Sequence, residues 1–124
     1  MSSSASNTPL ALVVEDNPDA AETLVMLIEM EGFQAVAAES LAAARRQLAI
    51  RVPDILLLDH ELPDGSGLAL LDELKGQPTL SFMLTGSADP DLIRQALRLG
   101  AAGYLAKPVD MQALAAALDR ARGT

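Results

Sequence analysis

Cysteine is absent from the 124-residue chain. Disulfides, thiolate nucleophiles and Cys-ligated metal sites are therefore excluded, and any metal chemistry has to use oxygen ligands. Positive charge is scarce as well: nine Lys and Arg stand against seventeen Asp and Glu, a formal net charge of −8. The footprint of a phosphate-backbone binder is missing, which argues against nucleic acid as a direct partner. No apolar stretch approaches the ~20 residues that span a bilayer, so no membrane association is expected. The start, MSSSASNTP, lacks the basic and apolar regions of a secretion signal. The default expectation is a cytoplasmic protein, with residues 1–8 a disordered Ser-rich lead and 9–124 one globular domain.

What is present is an alternation. Half of the chain is hydrophobic, and five short β-like runs stand out: Leu10 to Val14, Gln34 to Ala38, Asp54 to Leu58, Leu80 to Leu84 and Gly103 to Ala106. Each precedes a helix-compatible segment. Asn17-Pro18, Ser40, Ser66 or Gly65, Asp89-Pro90 and Asp110 supply helix starts, and Gly32, Gly76 and Gly100 fit the stops. Within the helices, Leu24 and Ile28, Leu41 and Leu48, Leu71 and Leu74, Ile93 and Leu97, and Leu114 and Leu118 form the expected inward stripes.

Repeated βα units imply a parallel sheet with helices on both faces. ALVV, ILLL and FML are nearly continuous apolar runs, as befits strands covered on both sides, whereas QAVAAE and GYLAK are interrupted. Strands two and five are thus the edges. The fold class is α/β, a flavodoxin-like (βα)5 three-layer sandwich with a five-stranded parallel sheet of order 2-1-3-4-5. In such a sheet ligands gather beyond the carboxyl ends of the strands.

Those ends carry Glu15 and Asp16 after LVV, Asp59 after LLL, Thr85 after FML and Lys107 after YLA. Three carboxylates at close quarters repel one another unless a cation offsets them, and a hard divalent ion is the natural remedy. Mg²⁺ suits oxygen ligands and is commonly held by one or two carboxylates with phosphate oxygens completing the shell. Mn²⁺ can substitute for it. Asp16 and Asp59 are the expected direct ligands, with Glu15 acting directly or through water. One Asp59 oxygen then remains to attack an in-line phosphoryl donor, while the Thr85 hydroxyl and Lys107 ammonium spread stabilisation over the transferred group.

Through VVEDN, LLLDHELPDGSG, LTGSA and GAAGYLAKP, the chain resembles the receiver domain of two-component response regulators from about Leu10 to Arg122. The resemblance implies Asp59 as phosphoacceptor, Glu15 and Asp16 as the acidic metal pair, and the Glu61 backbone carbonyl as a further metal ligand. It implies Thr85 and Lys107 as phosphate contacts and a cis Lys107–Pro108 bond. Tyr104 falls where the family places an aromatic switch, coupling the pocket to the face of the fourth helix, fifth strand and fifth helix, where Arg94 and Arg98 lie. An edge-strand aromatic with its hydroxyl in solvent is the rival reading. Glu61 and Ser87 fall at positions lining the water route to the acyl phosphate.

The implied partners are a histidine kinase or histidine phosphotransfer protein, docking near Asn17, Pro18 and the first helix, and a downstream protein or output domain; Met26 and Met30 serve either as contacts there or as packing residues. A phosphorylation-dependent dimer is compatible with the resemblance. The implied domain is not an enzyme beyond slow Mg²⁺-dependent self-phosphorylation and dephosphorylation. His60, the only histidine, reads as a solvent-facing loop residue rather than a relay or ligand. Basic Arg120 and Arg122 fit either the start of a linker or, as readily, the macrodipole of the last helix. Two alternatives use the same residues: a haloacid-dehalogenase-like phosphatase, whose motif order differs, and a phosphorylation-independent interaction module on the same scaffold.

Overall fold

The computed structural model describes residues 8–86 and 89–123. Apart from Thr8, the expectation of a disordered lead over residues 1–8 falls outside the described residues, as does Ser87. The sheet strands are β1 (Leu10–Val14), β2 (Gln34–Ala38), β3 (Ile55–Asp59), β4 (Leu80–Thr85) and β5 (Gly103–Ala106). Between them run α1 (Pro18–Met30), α2 (Leu41–Ile50), α3 (Gly67–Glu73), α4 (Pro90–Arg98) and α5 (Met111–Ala121). All pairings in this sheet are parallel, in the order β2-β1-β3-β4-β5, so the weakly apolar strands are indeed the edges.

Pleating divides the core in two. Leu12, Val14, Leu56, Leu58 and Met83 point toward Leu41, Ala44, Leu70, Leu71 and Ala96 of α2, α3 and α4. Their sheet neighbours Ala11, Val13, Ile55, Leu57 and Leu84 point the other way, toward Leu24, Ile28, Leu114 and Leu118 of α1 and α5. Each fully buried Leu or Ile contributes about 1.5–3 kcal/mol relative to exposure, so the central strands dominate cohesion. The helices start where the sequence signals stand: Asn17, Ser40, Ser66, Asp89 and Asp110 each accept a backbone N–H within the first turn.

Two local features depart from expectation. The inward stripe of α4 is Leu92 and Ala96, both buried, whereas Ile93 is half-buried and Leu97 is 49% exposed. LIRQAL offers two overlapping i, i+4 stripes, and the sheet selects the one a residue earlier. Beyond β3 the chain forms a tight antiparallel hairpin, Glu61–Leu62 against Gly65–Ser66, which alternation of strand and helix does not forecast.

Candidate functional site

Sheet register decides which side chains meet. Val14 pairs with Leu58, Leu84 with Asp59, and Ala106 with Thr85. The residues that follow Val14 and Ala106 therefore arrive level with the end of β3. Main-chain bonds fix them there: the Glu15 N–H donates to Ala38 O at 3.0 Å and the Lys107 N–H donates to Thr85 O at 2.8 Å. The Lys107–Pro108 peptide is cis.

One carboxylate oxygen from each of Glu15, Asp16 and Asp59 lies within 4.8 Å of the others. The side chain of Glu15 is 2% exposed and that of Asp59 13%, while Asp16 is exposed. Lys107 bridges the two buried acids: Nζ donates to Asp59 Oδ2 at 3.0 Å and stands 2.7 Å from Glu15 Oε1. The second contact makes the buried Glu15 Oε1 an ion-pair partner of the same ammonium. Its sister Oε2 accepts the Asn17 N–H at 3.0 Å. Asp59 Oδ1 faces the Glu61 N–H at 3.5 Å, the limit of such a bond.

Electrostatics separate the two acids. Burial acts to raise both carboxyls. For Glu15 the Lys107 ammonium and the Asn17 N–H outweigh it, and its pKa is held below the ordinary value. For Asp59, burial together with the neighbouring Glu15 charge prevails over Lys107, and its pKa is raised. Burial acts to lower Lys107, but hydrogen bonding and charge from both acids keep its pKa raised and the amine protonated.

Of the residues singled out from the sequence, Glu15, Asp16, Asp59, Glu61, Thr85 and Lys107 line one open cleft of about 630 Å³. Thr85 is buried at its floor. Tyr104 is not brought in: on edge strand β5 its side chain is 42% exposed. His60 is half-buried at the cleft wall and takes no part in the acidic cluster. The third acid of LLLDHELPDGSG, Asp64, turns away and caps α2, accepting from Leu41 N–H and Ala42 N–H.

Two positioning roles escaped sequence reasoning. Asn17, expected as the cap of α1, also orients Glu15. Gly67 donates its N–H to His60 O at 2.8 Å, and a Cβ there would lie 2.2 Å from Asp59 O. Its signal was a second glycine at the start of α3, in GSG, where one suffices for the turn.

A family model described as the response regulator receiver domain matches residues 11–119. The chain belongs to the response regulator receiver family. Among curated relatives, this receiver domain is 39% identical over 116 residues to the transcriptional regulatory protein CitB of Klebsiella pneumoniae, covering 88% of this chain and 48% of CitB. It is 36% identical over 109 residues to the phosphate regulon transcriptional regulatory protein PhoB of Escherichia coli K12, covering 85% and 48%. The receiver domain spans about half the length of these curated relatives.

Among solved structures it matches a response regulator receiver domain (CheY-like) from Methylobacillus flagellatus with a TM-score of 0.83 and 36% identity, covering 93% of this chain and 99% of that one. A putative response regulator from Chloroflexus aurantiacus J-10-fl gives a TM-score of 0.86 at 27% identity, covering 95% and 100%. Receiver domains are signalling domains of two-component systems rather than conventional enzymes. Among the described residues, no helix is long and apolar enough to cross a membrane.

Proposed function

We propose that this receiver domain accepts a phosphoryl group on Asp59, in a Mg²⁺-dependent transfer from a histidine kinase or histidine phosphotransfer protein. The observation that carries this reading is the convergence of three carboxylate oxygens, from Glu15, Asp16 and Asp59, within 4.8 Å. An all-oxygen donor set suits a hard cation, and the carboxylates of Glu15 and Asp59 share a single ammonium, which leaves negative charge for a divalent ion to offset. Asp16, Asp59 and the Glu61 carbonyl would hold the ion, with Glu15 direct or through water. Bound there, Mg²⁺ neutralises the carboxylates and the charge on the incoming phosphoryl oxygens.

Asp59 supplies the attacking oxygen: an O–P bond forms as the donor P–N bond breaks, and the departing imidazole keeps the electron pair. The Lys107 ammonium exchanges its Asp59 contact for a phosphoryl oxygen, and the Thr85 hydroxyl donates to another. Glu61, exposed at the rim, orients or hinders the water that later hydrolyses the acyl phosphate. Phosphorylation draws Thr85 inward, and Tyr104 follows from its exposed position, altering the α4–β5–α5 face toward a downstream protein, an output domain or a second copy. Such a donor places the domain in the cytoplasm.

Incubation with Mg²⁺ and acetyl phosphate tests the reading. One hydroxylamine-labile phosphoryl group is expected in the wild type and none in Asp59→Asn. No labelling would leave only an interaction scaffold, and turnover of many phosphoesters would favour a phosphatase. Unchanged chemical shifts over residues 89 to 118 on adding a phosphoryl mimic would defeat the switch.

A further inference from the structure

The hairpin that follows Asp59 reaches across to the first turn of α2. The Asp64 carboxylate accepts the Leu41 N–H on Oδ1 at 2.8 Å and the Ala42 N–H on Oδ2 at 3.0 Å. Ser40, the helix's own N-cap, takes the Ala43 N–H on Oγ at 3.0 Å. Three of the donors that a helix start leaves unpaired are thus shared between a local residue and one 22 to 23 residues away. The acceptance of two N–H groups holds the Asp64 carboxyl below the ordinary range.

Packing reinforces the join. At Gly65, φ is +146°, and a Cβ would press on Leu41 Cδ1 at 2.9 Å. Leu62, on the opposite hairpin strand, is buried in the same core cluster as Leu41 and Leu58. The other end of the loop is fixed by Gly67 N–H on His60 O. Glu61 lies between these anchors, so the position of its carbonyl depends on both.

We propose that Asp64 is a positioning residue for the metal site, clamping the Glu61 loop to the N-terminus of α2 so that the Glu61 carbonyl is presented to the ion. This rests on the magnesium reading above. Two consequences separate it from an ordinary capping role. Loss of Asp64 weakens metal binding, whereas loss of Ser40, whose Oγ accepts the Ala43 N–H of the same helix, does not. By reciprocity, metal occupancy must in turn tighten the clamp, so the Leu41 and Ala42 amides exchange more slowly with deuterium when Mg²⁺ is bound.

Titration of the whole chain with Mg²⁺, followed by heteronuclear NMR at about 0.15 M KCl to screen the change in net charge, tests this. Asp64→Ala is expected to lower Mg²⁺ affinity about fivefold or more, with Ser40→Ala within about twofold of wild type. Asp64→Asn keeps one acceptor oxygen and falls between them, which separates loss of the bond from loss of the charge. Equal affinities for Asp64→Ala and Ser40→Ala overturn the clamp, as does Mg²⁺-independent exchange of Leu41 and Ala42. Wild-type protein that takes up no Mg²⁺ overturns the site reading and the clamp together.

Discussion

Gly67→Ala is the most exacting test of how the acceptor is held. The added Cβ would stand 2.2 Å from Asp59 O, 3.0 Å from Leu58 Cγ and 3.2 Å from Asp59 C. Carbon and carbonyl oxygen approach to about 3.3 Å, so the overlap is about 1 Å and the obstacle is main chain rather than a flexible side chain. Either α3 backs away or the end of β3 moves. Overpacking of this kind costs about 2–3 kcal/mol, which for a domain of this size lowers Tm by about 10 °C. A displacement near 1 Å of a reacting group costs about 100-fold in rate. The assay is the rate of acyl-phosphate formation from acetyl phosphate at saturating Mg²⁺, beside urea unfolding. Gly76→Ala is the comparator: Gly76 has a φ of +87° and open space around it, so alanine there is strained by about 1 kcal/mol far from the pocket. It should lose stability and keep its rate. A wild-type rate in Gly67→Ala, or an equal loss of rate in Gly76→Ala, would refute the positioning argument.

Other outcomes follow from the charges. Asp59→Asn should stabilise the metal-free domain at neutral pH, because the native carboxyl is raised by burial and by Glu15. The sign fixes the pH course: the gain is absent below the unfolded value of 3.8, opens as pH rises through it and is complete above the raised native value. Urea titrations across that range check it, and Mg²⁺ should erase the gain by binding only the wild type. Lys107→Ala leaves Glu15 and Asp59 facing each other and should cost the metal-free form about 1–2 kcal/mol, discounted for the partial exposure of the amine. Mg²⁺ should then raise the melting temperature more than in wild type. Arg122→Ala removes a guanidinium 5.0 Å from the Phe33 ring centroid that also donates to Glu31 O, so hydrogen exchange over residues 118 to 121 should accelerate.

The sheet order was legible because burial on both faces writes itself as uninterrupted aliphatic runs, and the helix starts because a cap needs a particular side chain at a particular place. ALVV and ILLL could only be central, and Asn17, Ser40 and Asp110 could only begin something. The pocket was legible for the same reason, since its members stand at the ends of recognisable strands. What was not legible depends on contacts between distant segments. Nothing near Asp64 in sequence says that its partners are Leu41 and Ala42, and the second glycine of GSG marks Gly67 without saying that the Asp59 carbonyl occupies the place of its missing methyl. The face of α4 was missed because Leu92, Ile93, Ala96 and Leu97 satisfy helical spacing in two ways, and only packing distinguishes them.

An amine already joins β1 to β3 through Glu15 and Asp59. The acidic cleft therefore carries an internal counter-ion of its own. Potassium and sodium, abundant but singly charged, gain little by competing with a tethered ammonium that costs no translational freedom to hold. On the proposed magnesium reading, an ion of twice the valence would have the field strength to draw the carboxylates from it, so valence would discriminate among cations before any coordination geometry is considered.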